Sequence, residues 1–96
     1  MRRSYHPQLI EELLEASRLA SDASAFEDAF EQTTLEVCDA PQAWMFTGVG
    51  STRKATVGRY PYHLIFEVTD DEVCFIALAH KRREPLYWTD RTESRE

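Results

Sequence analysis

Cationic, imidazole and aromatic side chains gather at three places in this sequence: Arg53-Lys54, Arg59 to His63, and the run His80-Lys81-Arg82-Arg83 with Tyr87-Trp88 just beyond it. An imidazole titrates near pH ~6.5, so His63 and His80 can each take or give a proton at neutral pH. Lysine and arginine stabilise negative charge on a phosphate or carboxylate, and arginine does so through a two-pronged contact. The faces of Tyr87 and Trp88 can stack on bases or close off a sheet as core. The chemistry on offer is proton transfer and electrostatic stabilisation beside an anionic group. A competing reading makes His80 structural and pairs Arg82 and Arg83 with Glu84, Asp90 or the chain end.

The elements that must position these residues are legible from pattern. Thr52 to Arg59 alternates and is rich in β-branched residues, as a strand requires. Pro61 to Thr69 is a second strand, with proline at its start where a missing donor is tolerated. Asp70-Asp71 supplies a turn, and Val73 to Ala79 a third, mostly buried strand. Period-two geometry places Tyr62, Leu64, Phe66 and Val68 on one face, with His63, Ile65 and Glu67 on the other. The first set suits packing under helices, which leaves His63 on the open face.

Those helices lie upstream. Pro7 is preset for a first helical position. Leu9/Ile10, Leu13/Leu14, Ala16/Ser17 and Ala20 then recur at helical spacing, with Glu11, Glu12, Glu15 and Arg18 assigned to the wet side. Ser24 followed by Glu27 fits a capping box. Phe26, Phe30, Thr33/Thr34 and Val37 mark a second stripe that Asp39-Ala40-Pro41 ends. The helix carboxylates read as solvated faces with no chemistry. Arg2 to Tyr5 is a short edge strand, Trp44-Met45-Phe46 an apolar anchor before a glycine turn, and Thr89 onward a polar, frayed end. The expected architecture is α+β, with two N-terminal antiparallel helices on one face of a small three- to four-stranded antiparallel sheet. Residues 1–91 form the domain and 92–96 a tail.

The 96 residues suffice for one modest core without staples. Cys38 and Cys74 are far apart and show no metal or redox spacing, so buried thiols in a reducing cytoplasm are expected, with no metal and no cofactor. The N-terminus meets carboxylates too early for a signal peptide, and no apolar run approaches the ~18 residues of a membrane span. The net charge of −6 is segregated: residues 1–45 carry nine carboxylates against three arginines, while the rest is neutral with its bases bunched. Such a balance disfavours general nucleic-acid binding but leaves room for a local anion-facing surface.

Tyr5-His6-Pro7 before an acidic helix, Arg59-Tyr60-Pro61-Tyr62 opening a strand, and His80-x-Arg82-Arg83-x-Pro85-x-Tyr87-Trp88 together resemble the RelE/ParE superfamily of toxins from type II toxin–antitoxin modules. The last pattern looks like the ParE-type, plasmid-stabilisation branch, and the resemblance spans Tyr5 to Arg91. It implies a toxin that inhibits growth, neutralised by a cognate antitoxin in a toxin–antitoxin hetero-oligomer. ParE-like members act on DNA gyrase; RelE-like members cut mRNA on the ribosome. For RNA cleavage the resemblance carries over Lys54 and Arg82 and aligns the family's tyrosine with Trp88, next to Tyr87, but His63 stands where those ribonucleases have an arginine, and Thr56 where they have a second lysine. The candidate catalytic residues are then Lys54, His63, His80, Arg82 and Tyr87, with Arg53, Arg59, Lys81, Arg83 and Trp88 as binding residues. The incomplete set and the net acidity favour a protein target such as gyrase, with a ribosome-dependent endoribonuclease or an inactive homologue as alternatives.

Overall fold

The computed structural model describes residues 2–92. The elements run β1 (Arg2–Tyr5), α1 (Pro7–Leu19), α2 (Ala23–Asp39), β2 (Met45–Phe46), β3 (Arg53–Thr56), β4 (Tyr62–Thr69) and β5 (Glu72–His80), with short 3-10 turns at Pro41–Ala43 and Thr89–Arg91. The sheet order is β1-β5-β4-β3-β2. The expected α+β layering is present, but the sheet has five strands and is mixed. β1 pairs parallel to β5, since the chain leaves β1 through a helical crossover, and the two-residue β2 pairs with β3. A strand as short as β2 carries no alternation for sequence reasoning to detect.

Each helix starts where its local chemistry dictates. His6 caps α1, its ring nitrogen accepting from the Gln8 amide at 3.1 Å, and Pro7 follows where no donor is needed. The cap of α2 is Asp22, whose carboxylate accepts from the Ala25 amide at 3.0 Å. The expected Ser24 capping box is therefore displaced by two residues; an aspartate is the equal of serine at this position and comes first in the chain. Ser17, near the end of α1, donates to Glu27 in the early turns of α2, which closes the helix pair.

Two cores flank the sheet. Under the helices, Leu9 and Ala16 of α1 meet Phe26, Phe30 and Val37 of α2 over Leu64, Phe66, Phe75 and Leu78. Tyr62 and Val68 pack at its margin, so the alternation expected for β4 holds. On the other face, Ile65, Ile76, Ala77 and Trp88 form a second cluster. Ile76 and Ala77 share that face, although successive strand residues normally alternate. The β4–β5 register slips there, with Ile65 opposite Ala77 but Phe66 opposite Phe75, so Ile76 is a bulged residue.

Trp88 closes off the sheet as core, one of the two roles its ring offered, while Thr89 to Arg91, expected to fray, form a 3-10 turn. Residues 84–92 fold back as an arm over the open face and bury Trp88 to 3% exposure and Thr92 to 2%. The remainder of the expected tail, residues 93–96, lies outside the described residues. Among the described residues no helix is long and apolar enough to cross a membrane. Trp88→Ala should cost about 3–5 kcal/mol in urea unfolding, the usual loss for a buried tryptophan. A loss below about 1 kcal/mol would mean that the arm is not part of the core.

Candidate functional site

The open face carries a hollow of about 240 Å³ between the sheet and the arm. Thr47, Lys54, His63 and Ala79 line its floor, Lys81 and Arg83 its basic end, and Pro85 to Trp88 its wall. Lys54 and His63 reach it from the same face of adjacent strands, since Lys54 pairs with Ile65 and Thr56 with His63. A second hollow, bordered by Ala43, Trp44, Met45 and Thr56, opens from the same two residues.

His63 is held toward its neutral form. Partial burial lowers its pKa first, and the charges of Lys54 and Lys81 lower it further. A neutral imidazole beside two ammonium groups can accept a proton or hydrogen-bond an anion's protonated oxygen. The cations around it supply the charge complement.

The other candidates separate from this pair. His80 stands directly opposite Tyr62 in the β4–β5 ladder, and the two rings meet edge to face with centroids 5.0 Å apart. Tyr62 in turn packs on Phe26 of α2, so the His80 ring turns to the helix side although the residue borders the hollow. The reason is the bulge. Strict alternation from Val73 would put His80 on the face of His63, and one extra residue at Ile76 reverses the parity. Its Nδ1 accepts from the Arg82 amide at 3.0 Å, which ties the turn that leaves β5.

Arg82 is exposed and lies outside the residues lining the hollow. Arg59 likewise sits exposed in the β3–β4 turn, where Gly58 adopts φ +53. Arg53 belongs to the opposite face: it pairs with Phe66, donates to the Trp44 carbonyl at 2.6 Å and stacks over Phe46 at 3.8 Å. Its guanidinium is occupied in holding β2 to the sheet. Trp88 contributes its edge to the wall, but its ring is spent in the second core, so stacking on a base is sterically closed to it.

Tyr87 is committed elsewhere. Its hydroxyl donates to Glu12 Oε2 at 2.8 Å, and burial, followed by that bond and the Glu12 charge, pushes its pKa well above the ordinary phenol value. Arg83 stacks on the Tyr87 ring at 3.8 Å. Glu12 is the residue that sequence reasoning missed. Its Oε1 accepts from the Leu78 amide at 2.9 Å and its Oε2 lies 3.0 Å from Arg91 Nη2. Both side chains are largely buried, Arg91 at 7% and Glu12 at 12% exposure. A signal was present: Glu12 follows Leu9 by three and precedes Ala16 by four, which places it on the buried stripe and not on the wet side.

A larger hollow, about 430 Å³, lies on the other side of β5 against α1. There Glu11, Glu12 and Glu15 face Arg83 and Arg91, so its charge is largely matched internally. The open-face hollow adds Lys54 and Lys81 to Arg83, with Glu84 as the carboxylate among its lining residues. Two measurements check this geometry. A proton NMR titration should place the His63 midpoint below ~6.5, and Lys54→Ala should move it up. Because the folded chain holds His63 less protonated than the unfolded chain, its contribution to stability is present above the unfolded midpoint and lost as pH falls through the folded one. His80→Ala should cost about 0.5–2 kcal/mol, the range for a lost capping bond, and leave the His63 midpoint in place.

No protein-family model matches this chain, and no curated protein sequence does either. Solved structures do. The isolated E. coli RelE toxin matches with a TM-score of 0.66 at 19% identity, covering 90% of this chain and 89% of that one. A chain of the intact E. coli RelBE toxin–antitoxin complex gives 0.67 at 19%, covering 85% and 98%. A chain of the chromosomal ParDE toxin–antitoxin system of P. aeruginosa gives 0.59 at 12%, covering 83% and 95%. At these identities the likeness is one of fold, and it reaches both RelE and ParDE. The chain shares the fold of these RelE and ParDE chains.

Proposed function

We propose that this protein is the toxin of a type II toxin–antitoxin pair, neutralised by a cognate antitoxin, and that it acts by binding a protein target such as DNA gyrase. The fold supports the first part: the similar chains of RelBE and ParDE come from toxin–antitoxin systems. The observation that carries the second is the division of the two histidines between the faces of the sheet. Cutting a phosphodiester by proton transfer needs a base at the attacking hydroxyl and an acid at the leaving oxygen, within reach of one phosphate. Here His63 opens onto the cationic hollow, the His80 ring is turned to Tyr62, and the Tyr87 hydroxyl is bonded to Glu12. Lys54, His63, Lys81 and Arg83 remain as a surface that captures an anionic group. With a chain of net charge −6, that surface suits a carboxylate-bearing protein better than a long stretch of RNA.

A second reading keeps the ribonuclease. It is favoured by the lowered pKa of His63 between Lys54 and Lys81, which suits a general base. The two readings part in one pair of assays. Purified protein should inhibit gyrase supercoiling and leave mRNA on translating ribosomes intact, and Lys54→Ala with Lys81→Ala should weaken the inhibition by about tenfold or more. Normal supercoiling at large molar excess, together with mRNA cleavage that His63→Ala abolishes, would transfer the assignment to the nuclease. Expression without the neighbouring gene should arrest growth, and an antitoxin encoded beside it should restore growth.

A further inference from the structure

The arm that walls the hollow is held by a residue on the opposite side of the sheet. β1 covers β5 only as far as Phe75, whose carbonyl accepts from the His6 amide at 2.9 Å. Beyond that point, among the described residues, the outer edge of β5 has no strand beside it, and side chains take its place. The Leu78 amide donates to Glu12 at 2.9 Å, and the Ile76 carbonyl accepts from Arg91 at 3.1 Å. Glu12 thus touches the sheet edge and two arm residues at once, Tyr87 through its hydroxyl and Arg91 through an ion pair. Arg83, at the basic end of the hollow, lies 3.8 Å from the same carboxylate and stacks on Tyr87.

The arm also needs holding. Leu86 adopts φ +65, a left-handed conformation in which a bulky side chain is strained and which persists only where its surroundings impose it. The residues flanking it are what impose it: Pro85 restricts the chain before, and Tyr87 and Trp88 anchor it after.

We propose that Glu12 is the positioning residue of the cationic hollow: its carboxylate pins the arm against the uncovered edge of β5 and so fixes the hollow's wall, without touching anything bound there. The proposal rests on reading the hollow as the toxin's anion-binding surface. Releasing the arm would wet His63 and let Arg83 drift from the basic end, so anion capture would weaken though no cation had been removed.

The test uses His63 as a reporter, because substitution at Glu12 leaves every group that lines its hollow, Lys54, Lys81, Arg83 and Glu84 included, chemically intact. Glu12→Ala removes the charge and both acceptor oxygens; Glu12→Gln removes the charge and one acceptor but keeps the other. Loss of a negative charge by itself lowers the His63 midpoint, whereas loss of the arm raises it by rehydrating the ring. The expected result by NMR titration is a rise of about half a pH unit in Glu12→Ala, with partial restoration in Glu12→Gln. Tyr87→Phe, which keeps the ring and loses one hydroxyl, should move the midpoint the same way by less, and it decides the matter if Glu12→Ala does not fold. An equal fall in both Glu12 variants, or an unmoved midpoint in Tyr87→Phe, would overturn the proposal. Inorganic phosphate should shift the Lys54 and His63 resonances of the wild type and bind at least fivefold more weakly to Glu12→Ala. Absence of any phosphate shift in the wild type rejects the anion-binding reading of the hollow, while the titrations still decide whether Glu12 positions the arm.

Discussion

β5 is the strand on which the molecule is assembled, yet β1 covers only half of its outer edge. The chain cannot continue β1 further, because Pro7 lacks an amide proton and His6 is already turning into α1. The Ile76 carbonyl and Leu78 amide, left without a strand partner, lie against α1 and the arm, away from bulk water, where an unpaired backbone group costs about as much as a lost hydrogen bond. Glu12 and Arg91 satisfy both. Burying two such charges is tolerable only because each neutralises the other, and removing one partner of a buried pair typically costs about 3–5 kcal/mol. That single requirement brings the C-terminal arm back across the sheet, buries Trp88 and turns an open face into a walled hollow.

The bulge at Ile76 completes the arrangement. It gives the open face two adjacent apolar residues, Ile76 and Ala77, which with Ile65 make a bed wide enough for the Trp88 indole. The same extra residue returns Leu78 to the helix-side core and carries His80 with it. Packing and chemistry are therefore coupled through one register slip. The hollow keeps small Ala79 at its floor, beside His63, in place of a second imidazole.

What was legible in the sequence follows from periodicity and its limits. The α2 stripe of Phe26, Phe30, Thr33, Thr34 and Val37 is buried as its spacing demanded, and the two faces of β4 fall as alternation placed them. Both patterns are local, and each is repeated several times. The features missed were non-local or single. Glu12 was assigned to the wet side by its charge, against its position on the helix. Thr89 to Thr92 were given to a frayed end on their polar composition, yet Thr92 is buried and Arg91 pairs with Glu12, contacts that no local pattern shows. β2 is too short to have a period, and the parallel pairing of β1 depends on the whole helical crossover behind it.

His80 shows most sharply where pattern reading stops. Its residue type, its place at a strand end and its basic neighbours all point to chemistry, and simple alternation would set it beside His63. One bulged residue, which no local composition marks in Val73 to Ala79, decides otherwise. The resulting site has one imidazole held neutral among lysines, and an arginine braced on a tyrosine whose own proton is engaged. On the proposed reading this set serves to hold negative charge, since the imidazoles of His63 and His80 do not turn toward one phosphate together. The register of one strand, shifted by a single residue, thus decides which face a strand-end histidine serves without altering the cations beside it.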